Sequence, residues 1–182
     1  GLGDFGVWWA EELDSLSAGT SSIIVHSYIA TPSFSFTSFV GKGLTYYDVS
    51  IYGINSPDTY MLTGVTGANT FHDLRLYSAS KYDTVTFSAN QIVGADFEAH
   101  GVGAANRLLI ASDNVNVPRS ISVAVTVTTE YTDFEDINGT GAASCDISLA
   151  LGGSIDFGGN TGISFSVPWD ANDTLYWFGD SG

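Results

Sequence analysis

Alternation of apolar and polar residues at a period of two runs through most of this chain and constrains its fold most strongly. Segments such as SSIIVHSYIA, TYYDVSIYGI, SISVAVTVTTEY and GISFSVPW place β-branched and aromatic residues on alternate positions, as half-buried strands do. Turn-forming stretches such as INSPD, GVTGAN and INGTG separate them. The pattern predicts an all-β protein, a jelly-roll-like β-sandwich of about eight to ten strands.

Two further expectations concern organisation along the chain. One short helix at most is predicted, in the segment WWAEELDSL, and no internal repeat of solenoid length is evident. The length of 182 residues suits one domain, and an apolar content of 44% excludes intrinsic disorder. We therefore predict an N-terminal extension over residues 1–20 and a single β-sandwich domain over residues 21–182.

Charge and cysteine content exclude several classes of function. The chain has 5 Lys+Arg against 20 Asp+Glu and a net charge of -15, so it lacks the cation cluster that binds nucleic acid or an anionic membrane surface. No apolar run is long enough to span a bilayer. Cys145 is the only cysteine, so no intramolecular disulfide can form, and a buried structural thiol is predicted. The chain starts at Gly1 without methionine, which suggests removal of a signal peptide or of a polyprotein linker. We predict an extracellular or cell-surface protein after removal of a signal peptide.

Catalytic motifs are absent from the sequence. The three histidines, His26, His72 and His100, do not lie at the short spacing of a zinc-ligand pair. His72 beside Asp73 could form a dyad, but a surface histidine next to a turn acid is the favoured interpretation. We therefore predict a protein without enzymatic activity and without a required cofactor.

Two acidic clusters could bind calcium, because closely spaced carboxylates in turns supply the hard oxygen ligands that this ion prefers. The candidate ligands are Asp133, Glu135, Asp136, Asp170 and Asp173. Solvated turn acids without a bound ion are the alternative. Asn138 in NGT and Asn172 in NDT are acceptor sequons for N-glycosylation.

The opening stretch GLGDFGVWW carries the functional prediction. Phe5, Val7 and Trp9 would lie on one face of an extended strand, and burying such a face contributes about 1.5–3 kcal/mol per large apolar residue. A terminal strand of this kind can pair within its own sheet or be donated to a neighbouring subunit. We predict the second, with a subunit interface formed by Leu2, Phe5, Val7, Trp8 and Trp9.

The stretch GVWWAEELDSLSAGTSSIIV resembles the N-terminus of mature TasA/camelysin-type proteins. In that family an aromatic strand, a short acidic segment and a small turn lead into the first strand of a jelly roll. The matching positions are Trp8, Trp9, Glu11, Glu12, Asp14, Ala18, Gly19, Thr20, Ile23 and Val25. The resemblance implies a secreted subunit of extracellular biofilm fibres whose N-terminal strand completes the sheet of the next subunit.

These observations together predict a structural subunit of an extracellular filament, a pilus or biofilm fibre, assembled as a homopolymer by head-to-tail donor-strand complementation. The alternative from a different class is a viral jelly-roll capsid protein. A secreted carbohydrate-binding module is the third candidate, because four tryptophans and nine tyrosines could form a sugar-stacking platform.

Overall fold

The computed structural model of the protein describes residues 7–9, 19–26, 35–53, 61–79 and 83–165. Fourteen β-strands, and no helix, lie in these ranges. They form two sheets, here called A and B, in which neighbouring strands run parallel. Because parallel neighbours must be joined by a crossover, and the chain passes back and forth between the two sheets, it winds as a β-solenoid.

The strands are numbered in chain order and divide between the sheets as follows. Sheet A contains β1 (Val7–Trp9), β3 (Ser35–Val40), β5 (Met61–Thr66), β7 (Asp83–Phe87), β10 (Leu108–Ser112) and β13 (Thr132–Glu135). Sheet B contains β2 (Ser22–His26), β4 (Thr45–Tyr52), β6 (Thr70–Tyr77), β8 (Gln91–Val93), β9 (Asp96–His100), β11 (Arg119–Val123), β12 (Thr126–Glu130) and β14 (Ile137–Thr140). Within sheet B, the strands β2, β4, β6, β9 and β12 form one continuous stack, here called the B column.

The all-β prediction is confirmed, but the predicted jelly-roll β-sandwich is wrong. A sandwich of that type is built from antiparallel strands, whereas here each strand pairs with the equivalent strand of the next coil. The period-two alternation reports which face of a strand is buried, and it carries no information on the direction of the neighbouring strand. The strand count also exceeds the expected eight to ten.

The absence of an internal repeat was likewise a wrong prediction. Parallel register places Ser22–His26, Asp48–Tyr52, Asp73–Tyr77 and Asp96–His100 beside one another in the B column, so SIIVH, DVSIY, DLRLY and DFEAH are successive copies of one unit. Side chains that bond across adjacent coils are separated by 22 to 26 residues. The copies share a pattern of residue types rather than identities, and the connecting turns vary in length.

Inward-facing side chains form the core as columns that run along the solenoid axis. Val49 lies beside Leu74, and Leu74 lies beside Phe97, in three consecutive coils, and all three are buried. Tyr46 and Phe71 are paired in the same way, with ring centroids 5.8 Å apart. Apolar side chains therefore pack on their own equivalents above and below.

Polar side chains close one corner of the solenoid. The buried Asn69 accepts a hydrogen bond from the Gly43 N–H and donates to the carbonyl oxygens of Thr66 and Gly67. Gln91, in the next coil, also donates to Gly67 O. Gly67 has φ +87°, and a Cβ there would lie 2.6 Å from Gly43 N, so this turn requires glycine.

A second corner contains a buried ion pair. Arg107 contacts both carboxylate oxygens of Asp133, at 2.7 and 2.6 Å, and donates to the carbonyl oxygens of Gly152 and Gly153. Asp133 also accepts from the Ile155 N–H. This pair connects residues of three successive coils.

The first strand lies in its own subunit. Residues Val7–Trp9 form β1 and pair in parallel with Ser38–Val40 of β3 in the same chain. Within one chain β1 therefore belongs to sheet A, while Gly19 and Thr20, the other described residues of the extension over residues 1–20, form a turn. Donation of this strand to a neighbouring subunit stays a prediction. The rest of the predicted helical segment, residues 10–16, lies outside the described residues.

Candidate functional site

The outer face of the B column carries two groups of titratable side chains that lie close together in space. Its strands alternate between core and surface, so residues at equivalent positions on successive coils form ladders along the solenoid axis. Two ladders matter here. One begins with Asp48 and Asp73, and the other contains His26, Tyr52, Tyr77 and His100.

Asp48, His72 and Asp73 form the first cluster. Asp48 and Asp73 are register partners on β4 and β6. His72 Nδ1 lies 3.6 Å from Asp48 Oδ1 and 3.3 Å from Asp73 Oδ1, and one ligand atom from each of the three side chains lies within 4.8 Å of the others. The ring of Tyr47 stacks on His72 at 4.2 Å and 12°, which fixes the plane of the imidazole. Asp48 Oδ1 is buried and has no hydrogen-bond partner.

Asp73 is held by neighbours that Asp48 lacks. Its Oδ2 accepts from Arg75 at 2.8 Å and its Oδ1 accepts from the Asp96 N–H at 3.0 Å. Partial burial raises the pKa of the Asp73 carboxyl, but the hydrogen bonds from Asp96 and Arg75, with the charges of Arg75 and His72, outweigh burial and leave its pKa below the ordinary value. Arg75 also pairs with Glu98, so it bridges two coils.

The second ladder is a stack of four rings. Centroid distances are 4.8 Å from His26 to Tyr52, 4.8 Å from Tyr52 to Tyr77 and 5.2 Å from Tyr77 to His100, with interplanar angles of 12° to 14°. In this arrangement the ring faces of Tyr52 and Tyr77 are occupied by their neighbours. A sugar stacks on a free ring face, so this ladder does not supply the platform that a carbohydrate-binding module needs.

Tyr77 gives a testable prediction of pH dependence. Burial, and the hydrogen bond that its hydroxyl donates to Glu98 at 2.9 Å, raise the pKa of Tyr77 to about 12. An unfolded tyrosine titrates at about 10, so the stability that Tyr77 contributes below pH 10 is expected to be lost as the pH rises from about 10 to about 12. Glu98→Gln removes the nearby charge and should move this titration towards 10, as read from tyrosinate absorbance.

Two variants complete that titration experiment. Tyr77→Phe should remove the late-titrating component and so assign it. Glu135→Gln changes an acid elsewhere in the described chain and should leave the curve as it is. A Tyr77 that titrates near 10 in the native protein would contradict the prediction.

A cleft follows the last strand of the B column. It has a volume of about 350 Å³ and is lined by residues of two segments, Val127–Glu130 on one side and Asp146–Leu151 on the other. Among the described residues β12 pairs with β9, and its other edge is contacted at one bridge, between Glu130 and Leu151. The buried Thr129 Oγ1 has no hydrogen-bond partner. Leu149 is 97% exposed, so one wall of the cleft is apolar and open.

The predicted calcium ligands are placed as follows. Asp133 is buried against Arg107, and the buried Asp136 accepts from the Asn116 N–H at 2.7 Å. Glu135 is half-buried at the end of β13. Asp170 and Asp173 lie outside the described residues. The structure therefore does not bring these five acids into one site that could be assessed, and calcium binding stays a prediction.

The remaining residues predicted from the sequence lie at the following positions. Asn138 lies in β14 and its Oδ1 accepts from Thr161 Oγ1. Asn172, Leu2 and Phe5 lie outside the described residues, while Val7, Trp8 and Trp9 form β1 in its own chain. Glycosylation of the two asparagines and an interface role for the opening residues stay predictions.

Cys145 lies at the C-terminal part of the core. It is half-buried, lines a small apolar cavity with Ile121, Ile147 and Ile163, and burial raises the pKa of its thiol. This position fits the predicted structural thiol, because burial disfavours the reactive thiolate form of the side chain.

Sequence reasoning missed the cluster of Asp48, His72 and Asp73. His72 and Asp73 were considered as a pair, but they lie on a strand rather than in a turn, and Asp48 is one coil away. The available signal was the similarity between TYYDVSIY and TFHDLRLY. Aligned as repeat units, these segments place the two aspartates beside each other, with His72 next to one of them and opposite Tyr47.

Comparisons with known proteins identify no relative. No family model, no curated protein and no solved structure matches this chain. Within the described residues, none of the chain forms a helix that could cross a membrane. The class of the protein is thus defined by its fold, a parallel β-solenoid. The jelly roll implied by the resemblance to TasA/camelysin-type proteins is not the fold of this chain, and the resemblance itself stays untested.

Proposed function

We propose that this protein is a non-enzymatic structural subunit that polymerises end to end into an extracellular filament. The observation that carries the proposal is the geometry of the B column: among the described residues, neither β2 nor β12 pairs with a further strand on its outer edge, and β12 is met there at the Glu130–Leu151 bridge. The strand β2 is its first member and β12 its last, and each pairs with one strand of the column among the described residues.

The outer edges of β2 and β12 have complementary backbone hydrogen-bonding groups, because both strands belong to one parallel stack. In the parallel ladder, Asp48 N–H donates to Ser21 O, so alternate backbone groups of β2, including the Ile24 N–H, point away from β4. By the same alternation, the Thr126 N–H donates to Ala95 O, which leaves the backbone groups of Val127 and Thr129 on the cleft side. The β2 edge of another copy would enter the cleft between β12 and the segment 146–151 and pair with β12 in the parallel sense used within the chain.

Apolar surface lies beside both edges. Ile24 on β2 is 58% exposed, and Leu149 and Leu151 beside β12 are also exposed. The cleft next to β12 offers space for the edge of an incoming strand, and strand addition of this kind combines backbone hydrogen bonds with side-chain contacts. The contact joins two different surfaces, so it does not close on itself as a two-fold dimer and repeats into a fibre.

Net charge opposes this assembly and makes it dependent on salt. Subunits with a formal charge of -15 repel each other, and screening shortens that repulsion to about 8 Å at 0.15 M ionic strength. Polymerisation is therefore expected to increase with ionic strength.

Electron microscopy and analytical ultracentrifugation of two variants test the proposal. Ile24→Pro removes an outward N–H from β2 and spares its bonds to β4, and Leu149→Asp introduces a charge beside β12. Each change should raise the critical concentration for polymerisation about tenfold or more, a cost of about 1.4 kcal/mol or more per contact. Ile24→Val keeps the N–H, and Val115→Asp places the same charge at a residue that is 70% exposed in another loop; both should polymerise normally.

Mixing the variants gives a sharper result. Ile24→Pro retains the β12 edge and Leu149→Asp retains the β2 edge, so an equimolar mixture should form heterodimers that stop growing. A wild-type protein that stays monomeric at high concentration and salt would contradict the proposal, as would normal fibres from either variant. The extracellular location is tested separately, by antibody labelling of intact cells.

One of the two alternatives loses its basis in this fold. A jelly-roll capsid protein requires the antiparallel sandwich that the strand pairing excludes. The carbohydrate-binding module stays an untested alternative, because the side chains of all four tryptophans lie outside the described part of the chain.

A further inference from the structure

We propose that Asp48, His72 and Asp73 bind one divalent first-row transition-metal ion, of the class represented by Zn²⁺, on the outer face of the B column. The site would supply one imidazole nitrogen and two carboxylate oxygens, with the remaining positions open to water. One nitrogen and two carboxylate oxygens suit zinc and its neighbours, whereas calcium takes oxygen ligands.

The distances between the donor atoms match such an ion. Metal bonds of about 2.0–2.2 Å in tetrahedral geometry place two ligand atoms about 3.3–3.6 Å apart. His72 Nδ1 lies 3.3 Å from Asp73 Oδ1 and 3.6 Å from Asp48 Oδ1. All three ligand atoms lie within 4.8 Å of one another, so three potential ligands are close together on adjacent strands.

The charge balance of the cluster also calls for a cation. Asp48 and Asp73 are register partners, and like charges directly opposite each other destabilise a sheet. Arg75 and the Asp96 N–H compensate Asp73. Asp48 Oδ1 is buried and has no hydrogen-bond donor, and a buried oxygen of this kind costs free energy until it finds a partner.

The surroundings hold the ligands and leave an entry path. Arg75 orients the Asp73 carboxylate and the ring of Tyr47 holds the imidazole plane, as supporting residues do around metal ligands. The His72 side chain is 43% exposed, so an ion can reach the cluster from solvent.

Isothermal titration of the metal-free 182-residue chain with ZnCl₂, and with CoCl₂ for its absorption spectrum, tests the site. We expect one ion per chain, a higher melting temperature with metal, and cobalt bands that report nitrogen and oxygen ligands. Asp48→Asn and His72→Gln should each weaken binding by about tenfold or more.

Matched variants exclude general effects of charge. His100→Gln removes a histidine that also lies near acids, Glu98 and Glu130, and Asp113→Asn removes an exposed acid; both should bind zinc normally. The proposal is overturned if millimolar Zn²⁺ and Co²⁺ neither bind nor change the melting temperature. It is also overturned if Asp48→Asn and His72→Gln bind as the wild type does, which would place the ion elsewhere. A monomeric protein that binds one zinc would leave this site standing and remove the filament proposal.

Discussion

Replacing Arg107 with alanine is expected to lower the free energy of unfolding by about 3–5 kcal/mol, the effect of leaving a buried charge without its partner. Arg107 and Asp133 are both buried, and the arginine also satisfies the carbonyl oxygens of Gly152 and Gly153. The change would remove the donor that joins these turns. Urea denaturation followed by circular dichroism measures the loss.

The chain contains a matched control for this variant. Arg119 pairs with Asp113 at 2.9 Å on the surface, and an exposed pair contributes about 0–1 kcal/mol. Arg119→Ala should therefore be nearly neutral. Arg107→Met combined with Asp133→Leu should recover part of the lost stability, because no buried charge then remains. Equal effects of Arg107→Ala and Arg119→Ala would show that the Arg107 corner does not act as a buried ion pair.

The second large effect is expected in the core. Phe71 is 0% exposed, and its ring contacts those of Phe39 and Tyr46. Phe71→Ala should lower the free energy of unfolding by about 3–5 kcal/mol, through lost burial and the cavity left between coils. The same denaturation measurement applies.

Phe157 provides the control, since it is the same residue type but 55% exposed. Phe157→Ala should change stability by about 0.5 kcal/mol or less. A core that collapses around the shortened side chain would give a smaller loss at Phe71. A loss below about 1 kcal/mol would contradict the packing described for this column.

Strand content could be predicted from the sequence, whereas strand direction could not. The alternation in TYYDVSIY correctly predicts a strand with Val49 and Ile51 on the buried face. Whether that strand has parallel or antiparallel neighbours depends on contacts 22 to 26 residues away, which a local pattern does not contain. The repeat of DVSIY and DLRLY was the available evidence for parallel stacking, and it required comparison of segments rather than inspection of each one.

The candidate site was hidden for the same reason. His72 and Asp73 are adjacent in sequence, but the third ligand, Asp48, comes from the previous coil. Asp48 comes close to His72 and Asp73 through the register between β4 and β6. The acids that looked clustered in sequence are used differently, since Asp133 binds Arg107 and Asp136 binds the backbone of Asn116. Short spacing along the chain is a poor guide to proximity where each coil carries the chain around the whole circumference.

The stacking of coils also determines how the molecule opens. A coil in the middle, such as the one containing Leu74, is bonded on both sides, whereas β2 and β12 are bonded to one strand of the B column. In such quasi-one-dimensional proteins each unit is stabilised by its nearest neighbours. Opening should therefore begin at the ends and move inward, so that amide hydrogen exchange slows from the terminal coils towards the coil of β6.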